Sequence, residues 1–353
     1  MLESKSYIAT PPGATIKEQL DNRGMTQKEF ASRMGMSEKH ISKLINGDVH
    51  LTPDVAERLE MVLDIPASFW NKLEAIYQEK LTKVKNENEL IEEKNLAQKY
   101  PYNKIASWGM VPSTNKWKEK IINLRKFFGV SRLKLVQNED LLPIACRKLS
   151  DTDKSTFIMI ALAQYAKIKA RDMQVSSFCI DTLKHKISEI RKLTMHKTLD
   201  FDETLVDIFK SCGIALIYLP NIKGSFLHGI TFYDNNNHKI IIGITMRGKY
   251  ADRFWFSLFH EIAHIIKGHI YQKDGTSNTD EQEADNIAAE YLIPSAKLKQ
   301  FYQAQNYTIT SINHFSNCIG IGPDIIIGRL QNDHKIRQSQ LNQYKKKYDP
   351  IVS

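Results

Sequence analysis

Apolar positions run along this chain in more than one rhythm. Up to about residue 78 they recur at spacings of three and four in short blocks broken by glycines, which predicts several short helices joined by tight turns. Residues 79 to 99, including Glu79-Lys80-Leu81-Thr82-Lys83-Val84-Lys85, read as a charged helix or linker. From about 100 to 210 the spacing of three and four returns, as in Lys116-Trp117-Lys118-Glu119-Lys120-Ile121-Ile122-Asn123-Leu124, with turns near Pro112, Gly129 and Pro143. Then the period shortens. Gly213 precedes Ile214-Ala215-Leu216-Ile217-Tyr218-Leu219, closed by Pro220, the pattern of a buried strand. Leu227 to Tyr233 and His238 to Ile244 are two more strand-like runs. Asn235-Asn236-Asn237 between them is turn chemistry, because Asn tolerates left-handed backbone, so a hairpin is predicted. Two helices follow at about 250–270 and 280–293, the second stopped by Pro294.

This pattern sorts the chain into four zones: 1–78, a helical 79–210, a mixed 211–300, and a helical extension with a basic tail over 301–353. A length of 353 residues suits two or three domains. No apolar run approaches the roughly 18 residues that cross a bilayer, and Met1 to Thr10 has no signal-peptide core, so a cytoplasmic protein without a membrane partner is expected. Cys146, Cys179, Cys212 and Cys318 are scattered and read as reduced thiols. The net charge of +9 is compatible with a polyanion partner. Part of that excess sits in Lys345-Lys346-Lys347, which reads as a solvated tail able to touch phosphates.

The segment from Met25 to Gly47 carries a specific arrangement. Thr26 can cap a helix with Glu29 three residues on, the spacing of a capping box. Ala31 is small where two helices must cross, and Gly35 permits the positive φ of a tight turn. Ser37 can cap a second helix that Gly47 ends, with Ile41, Leu44 and Ile45 inward. Glu38, Lys39, Ser42 and Lys43 then face outward, where a DNA major groove would be read, and Gln27 is placed to meet a phosphate or support a base contact. The stretch from about Pro12 to Tyr77 resembles the XRE/Cro-type repressor domain. Its closing part, Leu51-Thr52-Pro53-Asp54-Val55-Ala56 through Pro66-Ala67-Ser68-Phe69-Trp70, looks like the HigA-type antidote subgroup. The resemblance implies operator DNA binding, usually as a homodimer. Glu38 departs from it, standing where a neutral reader is common, and points to a cytosine amine.

A second motif lies in the first of the two late helices. His260 and His264 are four apart, which on a helix puts both imidazoles on one face, able to chelate one ion. Glu261 then lies beside the metal as a general base without having to ligate it. His269 is out of register for the extended H-E-x-x-H-x-x-G-x-x-H scheme, since Lys267 and Ile270 stand where Gly and His are needed. A carboxylate from the next helix, in Asp280-Glu281-Gln282-Glu283-Ala284-Asp285, can complete a His, His, Glu site with water fourth. The stretch from about Gly213 to Pro294 closely resembles the ImmA/IrrE-type metallopeptidases. That resemblance implies a zinc ion, Zn2+, and maps the third ligand to Glu283, with Glu281 as the alternative. His228 and His238 read as surface or hairpin histidines, and the strand Ile240-Ile241-Ile242-Gly243-Ile244 as one that could pair with an extended peptide.

The expected fold is therefore multidomain: an all-α helix-turn-helix domain, a helical middle region, and an α+β zincin-like domain with a small sheet. The expected function is a transcriptional regulator with a zinc metallo-endopeptidase domain. Its protein substrate would be a repressor or antitoxin, or the chain itself, in a mobile-element, toxin–antitoxin or stress operon. The competing expectation is a non-enzymatic regulator whose zinc domain senses a ligand or partner.

Overall fold

In the computed structural model the described residues are 2–137, 154–196, 200–222, 227–235, 237–246, 250–272 and 276–348. Cys146, the turn near Pro143 and Asn236 lie outside them. The chain divides into two compact units, Met1–Asn95 and Leu96–Ser353.

The first unit opens with a two-stranded antiparallel ribbon, β1 (Leu2–Glu3) and β2 (Ile8–Ala9). Five helices follow: α1 (Pro12–Asn22), α2 (Gln27–Met34), α3 (Glu38–Asn46), α4 (Pro53–Leu63) and α5 (Ala67–Lys99). Their ends are written in side chains. Thr26, Ser37 and Thr52 each accept a backbone N–H, from Glu29, His40 and Val55, and so satisfy donors that the helix itself leaves unpaired. Gly35 and Gly47 close α2 and α3 in the left-handed region, at φ 62° and 79°. The capping box expected at Thr26 is only half formed, because the Glu29 carboxylate turns to Arg33, 2.7 Å away. Phe30, Ala31, Met34, Ile41, Leu44, Leu59 and Trp70 make the core, with the Trp70 indole donating to the Ile65 carbonyl. A close crossing falls at Gly13, where a Cβ would collide with the backbone of Ile45. The charged stretch after residue 79 is no linker but the continuation of α5, and its buried Glu87 takes hydrogen bonds from Ser4 and Ser6 that pin the N-terminal ribbon.

The second unit contains α6 (Tyr102–Ser107), α7 (Trp117–Phe128), α8 (Lys154–Ala170), α9 (Ile180–Leu193), α10 (Asp202–Ser211), three strands, and five further helices. The strands are β3 (Ile214–Leu219), β4 (Gly229–Asp234) and β5 (Lys239–Thr245), in the order β3-β5-β4. β3 runs parallel to β5 with Ile214 opposite Ile240, and β4 and β5 form the expected hairpin with Asp234 opposite Lys239. The helices are α11 (Ala251–Ile266), α12 (Asn278–Leu292), α13 (Ser295–Gln303), α14 (Ile309–Ile319) and α15 (Pro323–Asn332).

Part of the expected middle region belongs to this core. Helix α8 packs on β3 and β5, and the Lys239 ammonium donates to the carbonyls of Ala170, Arg171 and Met173, satisfying acceptors at the helix end. Leu183, Ile190, Leu205 and Phe209 of α9 and α10 share one apolar cluster with the strands and with Trp255, Leu258 and Ile262 of α11. The basic tail is likewise built in. Lys345 pairs with the buried Asp252 at 2.6 Å, and Lys346 donates to the carbonyls of Thr194 and His196. Tyr348 is buried and accepts from the Trp255 indole. The segment is therefore a strap across the start of α11, not a solvated phosphate-binding tail, because its charges already have internal partners. No helix among the described residues is long and apolar enough to cross a membrane.

Because the neighbour of Gly13 is backbone, which cannot swing aside, Gly13→Ala is expected to destabilise the first unit by about 1–3 kcal/mol, the usual cost of overpacking. Thermal or urea unfolding checks this; an unchanged midpoint would show that α1 and α3 can separate freely.

Candidate functional site

The residues expected on the outer face of the helix-turn-helix lie at its surface. Gln27, Glu38, Lys39 and Lys43 are exposed and Ser42 is half-buried, whereas Ile41 and Leu44 are fully inside. The buried side of α3 is thus used up in packing, and its polar side is free to meet another surface.

The second site is built on α11 and α12. His260 and His264 sit one turn apart, with their Nε2 atoms 2.9 Å from each other. Glu281 of α12 meets both: its carboxylate oxygens lie 3.3 Å from His260 Nε2 and 3.8 Å from His264 Nε2. One ligand atom from each of the three falls within 4.8 Å of the others. Glu283 does not join them. Its carboxylate pairs with Lys267 at 2.7 Å and with His269 at 3.3 Å, so it is Glu281, and not the expected Glu283, that stands with the two histidines. The reason is helical geometry. Two residues apart on a helix means about 200° around the axis, so Glu281 and Glu283 cannot face the same point. Glu281 shares its face with Asp285, four residues on, while Ala284 and Ala288 are buried.

Two partners that sequence reasoning missed orient the imidazoles. Asp285 accepts from His260 Nδ1 at 2.8 Å. His269, buried in a short 3-10 turn (His269–Tyr271), lies with its Nδ1 3.0 Å from His264 Nδ1 and its Nε2 beside Asp280 and Glu283, at 3.4 and 3.3 Å. Carboxylates can only accept, so His269 Nε2 donates to them and its Nδ1 accepts from His264 Nδ1. When both rings are neutral, as a bound cation would require, each Nε2 turns its lone pair to the shared point, the arrangement by which a second row of hydrogen bonds tunes a metal site. A four-residue spacing from Glu281 was the available signal for Asp285. Nothing in the local pattern marked His269, which failed only as a ligand.

The donor set fits a zinc ion: two imidazoles and a carboxylate in a partly buried cleft leave a fourth position for water or substrate. Without a cation a proton takes that place. His260 has its pKa raised to about 9, since burial alone would lower it but Glu281, Glu261 and Asp285 outweigh burial. Hydrogen bonds from His260 and His264 hold the Glu281 carboxyl well below the usual range.

Glu261 points toward β4 instead of into the ligand set. It is buried, accepts from the Thr231 hydroxyl, and packs so closely on Gly229 that any Cβ there would strike its carboxylate. Burial pushes its pKa up, partly offset by the Thr231 hydrogen bond. A raised carboxyl pKa suits a group that must take up a proton near neutrality. Leu227 to Thr231 flank a cleft of about 340 Å³ that holds Glu261 and the histidines. β4, not β5, is therefore the edge strand beside the cleft; β5 is the middle strand and its backbone is paired on both sides.

Metal uptake by this site competes with the His260 proton. Binding of zinc to the metal-free chain at pH 7 is expected to release about one proton, with affinity rising roughly tenfold per pH unit up to about pH 9. Calorimetry in two buffers of different ionisation enthalpy measures the release, and equal heats in both would contradict it.

Comparison with known proteins finds matches to the segments that hold both candidate sites. The helix-turn-helix family profile matches residues 16–70, and that of the IrrE N-terminal-like domain matches residues 226–319. An uncharacterized HTH-type transcriptional regulator, YddM of Escherichia coli (strain K12), is 33% identical over 63 residues, which cover 18% of this chain and 67% of that protein. The chain thus belongs to the XRE-type helix-turn-helix family through its N-terminal unit and carries, in its C-terminal unit, a domain of the IrrE/ImmA-like M78 peptidase family.

Proposed function

We propose that this protein is a cytoplasmic DNA-binding regulator whose second unit is a zinc-dependent metallo-endopeptidase, with His260, His264 and Glu281 as ligands and Glu261 as base. The observation that carries the reading is the meeting of two Nε2 atoms and one carboxylate at a single point, beside a second, buried carboxylate on α11 that is hydrogen-bonded to the edge strand. When bound, zinc would polarise the scissile carbonyl and make water acidic enough to attack at neutral pH. The chain's own residues do the rest. Glu261 accepts the proton of the attacking water and returns it to the departing amine. Thr231 and Gly229 hold that carboxylate in place, and Asp285 and His269 keep the imidazoles in the tautomers that leave Nε2 free. The outer edge of β4, unpaired with another strand among the described residues, is the natural place for an extended substrate to pair its backbone.

Gln27, Glu38, Lys39, Ser42 and Lys43 form the operator-reading face, in a homodimer of the kind the helix-turn-helix class commonly uses. The substrate on this reading is a repressor or antitoxin protein, or the chain itself. Its cleavage would couple a signal to derepression of a mobile-element, toxin–antitoxin or stress operon. This is tested by incubating the purified protein with the products of neighbouring genes, with and without a chelator.

Three variants separate the roles. Glu261→Gln is expected to keep stoichiometric zinc and lose at least about a hundredfold in cleavage, the scale of general-base loss. Glu281→Ala is expected to lose the metal, and Glu283→Ala to retain it. Metal analysis and product mass spectrometry read all three; full cleavage by Glu261→Gln, or metal loss from Glu283→Ala alone, would sink the assignment.

A further inference from the structure

A second cavity, of about 380 Å³, continues the catalytic cleft along α11. The two share His228, Phe256 and Ser257. Helical arithmetic explains the continuity. Arg253, Phe256 or Ser257, and His260 fall at i, i+3 or i+4, and i+7, on one stripe of the helix. Arg253 therefore stands about two turns, roughly 10 Å, from the metal-facing imidazole. An extended peptide rises roughly 3.3 Å per residue, so that distance is about three residues of substrate.

The charges of this cavity are uneven. Three cations, Arg253, Arg329 and Lys345, line it with one carboxylate, Asp252. Lys345 is taken up by Asp252 at 2.6 Å and Arg329 by Asp333 at 2.7 Å. Arg253 is exposed, and among the described residues its guanidinium has no carboxylate partner, only the ring of Tyr250 at 5.9 Å from the centroid. The half-exposed Phe256, with Leu292, Ile293 and Ile325, gives the same cavity an apolar wall. A side chain entering it meets hydrocarbon first and an uncompensated positive charge at one side.

We propose that this cavity is a substrate subsite for an acidic residue about three positions from the cleaved bond, with Arg253 as the residue that recognises its carboxylate. The inference rests on the peptidase reading and adds the substrate's chemistry to it. A lysine or arginine at that position would face the uncompensated Arg253 cation; an aspartate or glutamate gains a charge-assisted hydrogen bond.

The test is a degenerate peptide library incubated with the full zinc-loaded chain, with cleavage products read by mass spectrometry. Asp and Glu are expected to be enriched on the order of tenfold at one position about three residues from the cut. In Arg253→Glu the preference at that position should pass to Lys and Arg while zinc content stays the same. No acidic preference, or one that Arg253→Glu leaves intact, overturns the proposal. A separate arm keeps this distinct from failure of the peptidase reading. Immobilised Glu261→Gln chain is panned against the same library. Selection of acidic peptides that Arg253→Glu abolishes supports the subsite even where no bond is cut, and no such selection overturns it.

Discussion

His260, His264 and Glu281 compete for one small volume, and the second unit is organised so that they cannot avoid each other. Two imidazoles with lone pairs facing at 2.9 Å repel unless a proton or a cation sits between them. The surrounding hydrogen bonds impose that state: Asp285 takes the other proton of one ring, and His269 takes that of the next. The carboxylate of Glu281 adds negative charge at the same point. Such a cluster is costly to bury empty and well suited to a divalent ion. The close packing of α11 on α12, and the apolar shell of Trp255, Leu258, Phe259 and Ile262, hold the ligands where they are.

Much of this was legible along the chain because it depends on local rules. The caps at Thr26 and Ser37, the left-handed Gly35 and Gly47, and the pairing of His260 with His264 follow from spacing within a few residues. The β4–β5 hairpin followed from Asn-rich turn chemistry between two apolar runs. What failed depended on tertiary choice. Glu281 and Glu283 lie on the same helix, and only the rotation of α12 against α11 decides which faces the histidines. The strand order was equally hidden, so β5 was taken for a strand able to accept a peptide when β3 and β4 enclose it. Lysines 345 to 347 looked solvated because nothing local announces Asp252, nearly a hundred residues away, as the partner of Lys345.

The two units place different chemistry in one chain. In the first, capped short helices leave a polar face exposed, and the burial of Ile41 and Leu44 fixes which face that is. In the second, the C-terminal strap ties Asp252, Ala251 and Trp255 at the start of α11, at the opposite end of the helix from His264. The same helix therefore carries the strap at its start, the candidate subsite in its first turns and the two candidate ligand histidines near its end.

The central claim is that two imidazoles and the Glu281 carboxylate hold one ion. X-ray absorption at the zinc edge, on freshly purified full-length chain, tests it most directly. The account predicts one zinc per chain, bound by two imidazole nitrogens and light oxygen donors at about 2.0–2.2 Å, with no sulfur. A chain without stoichiometric divalent metal, or a shell with thiolate or without imidazole, would contradict it.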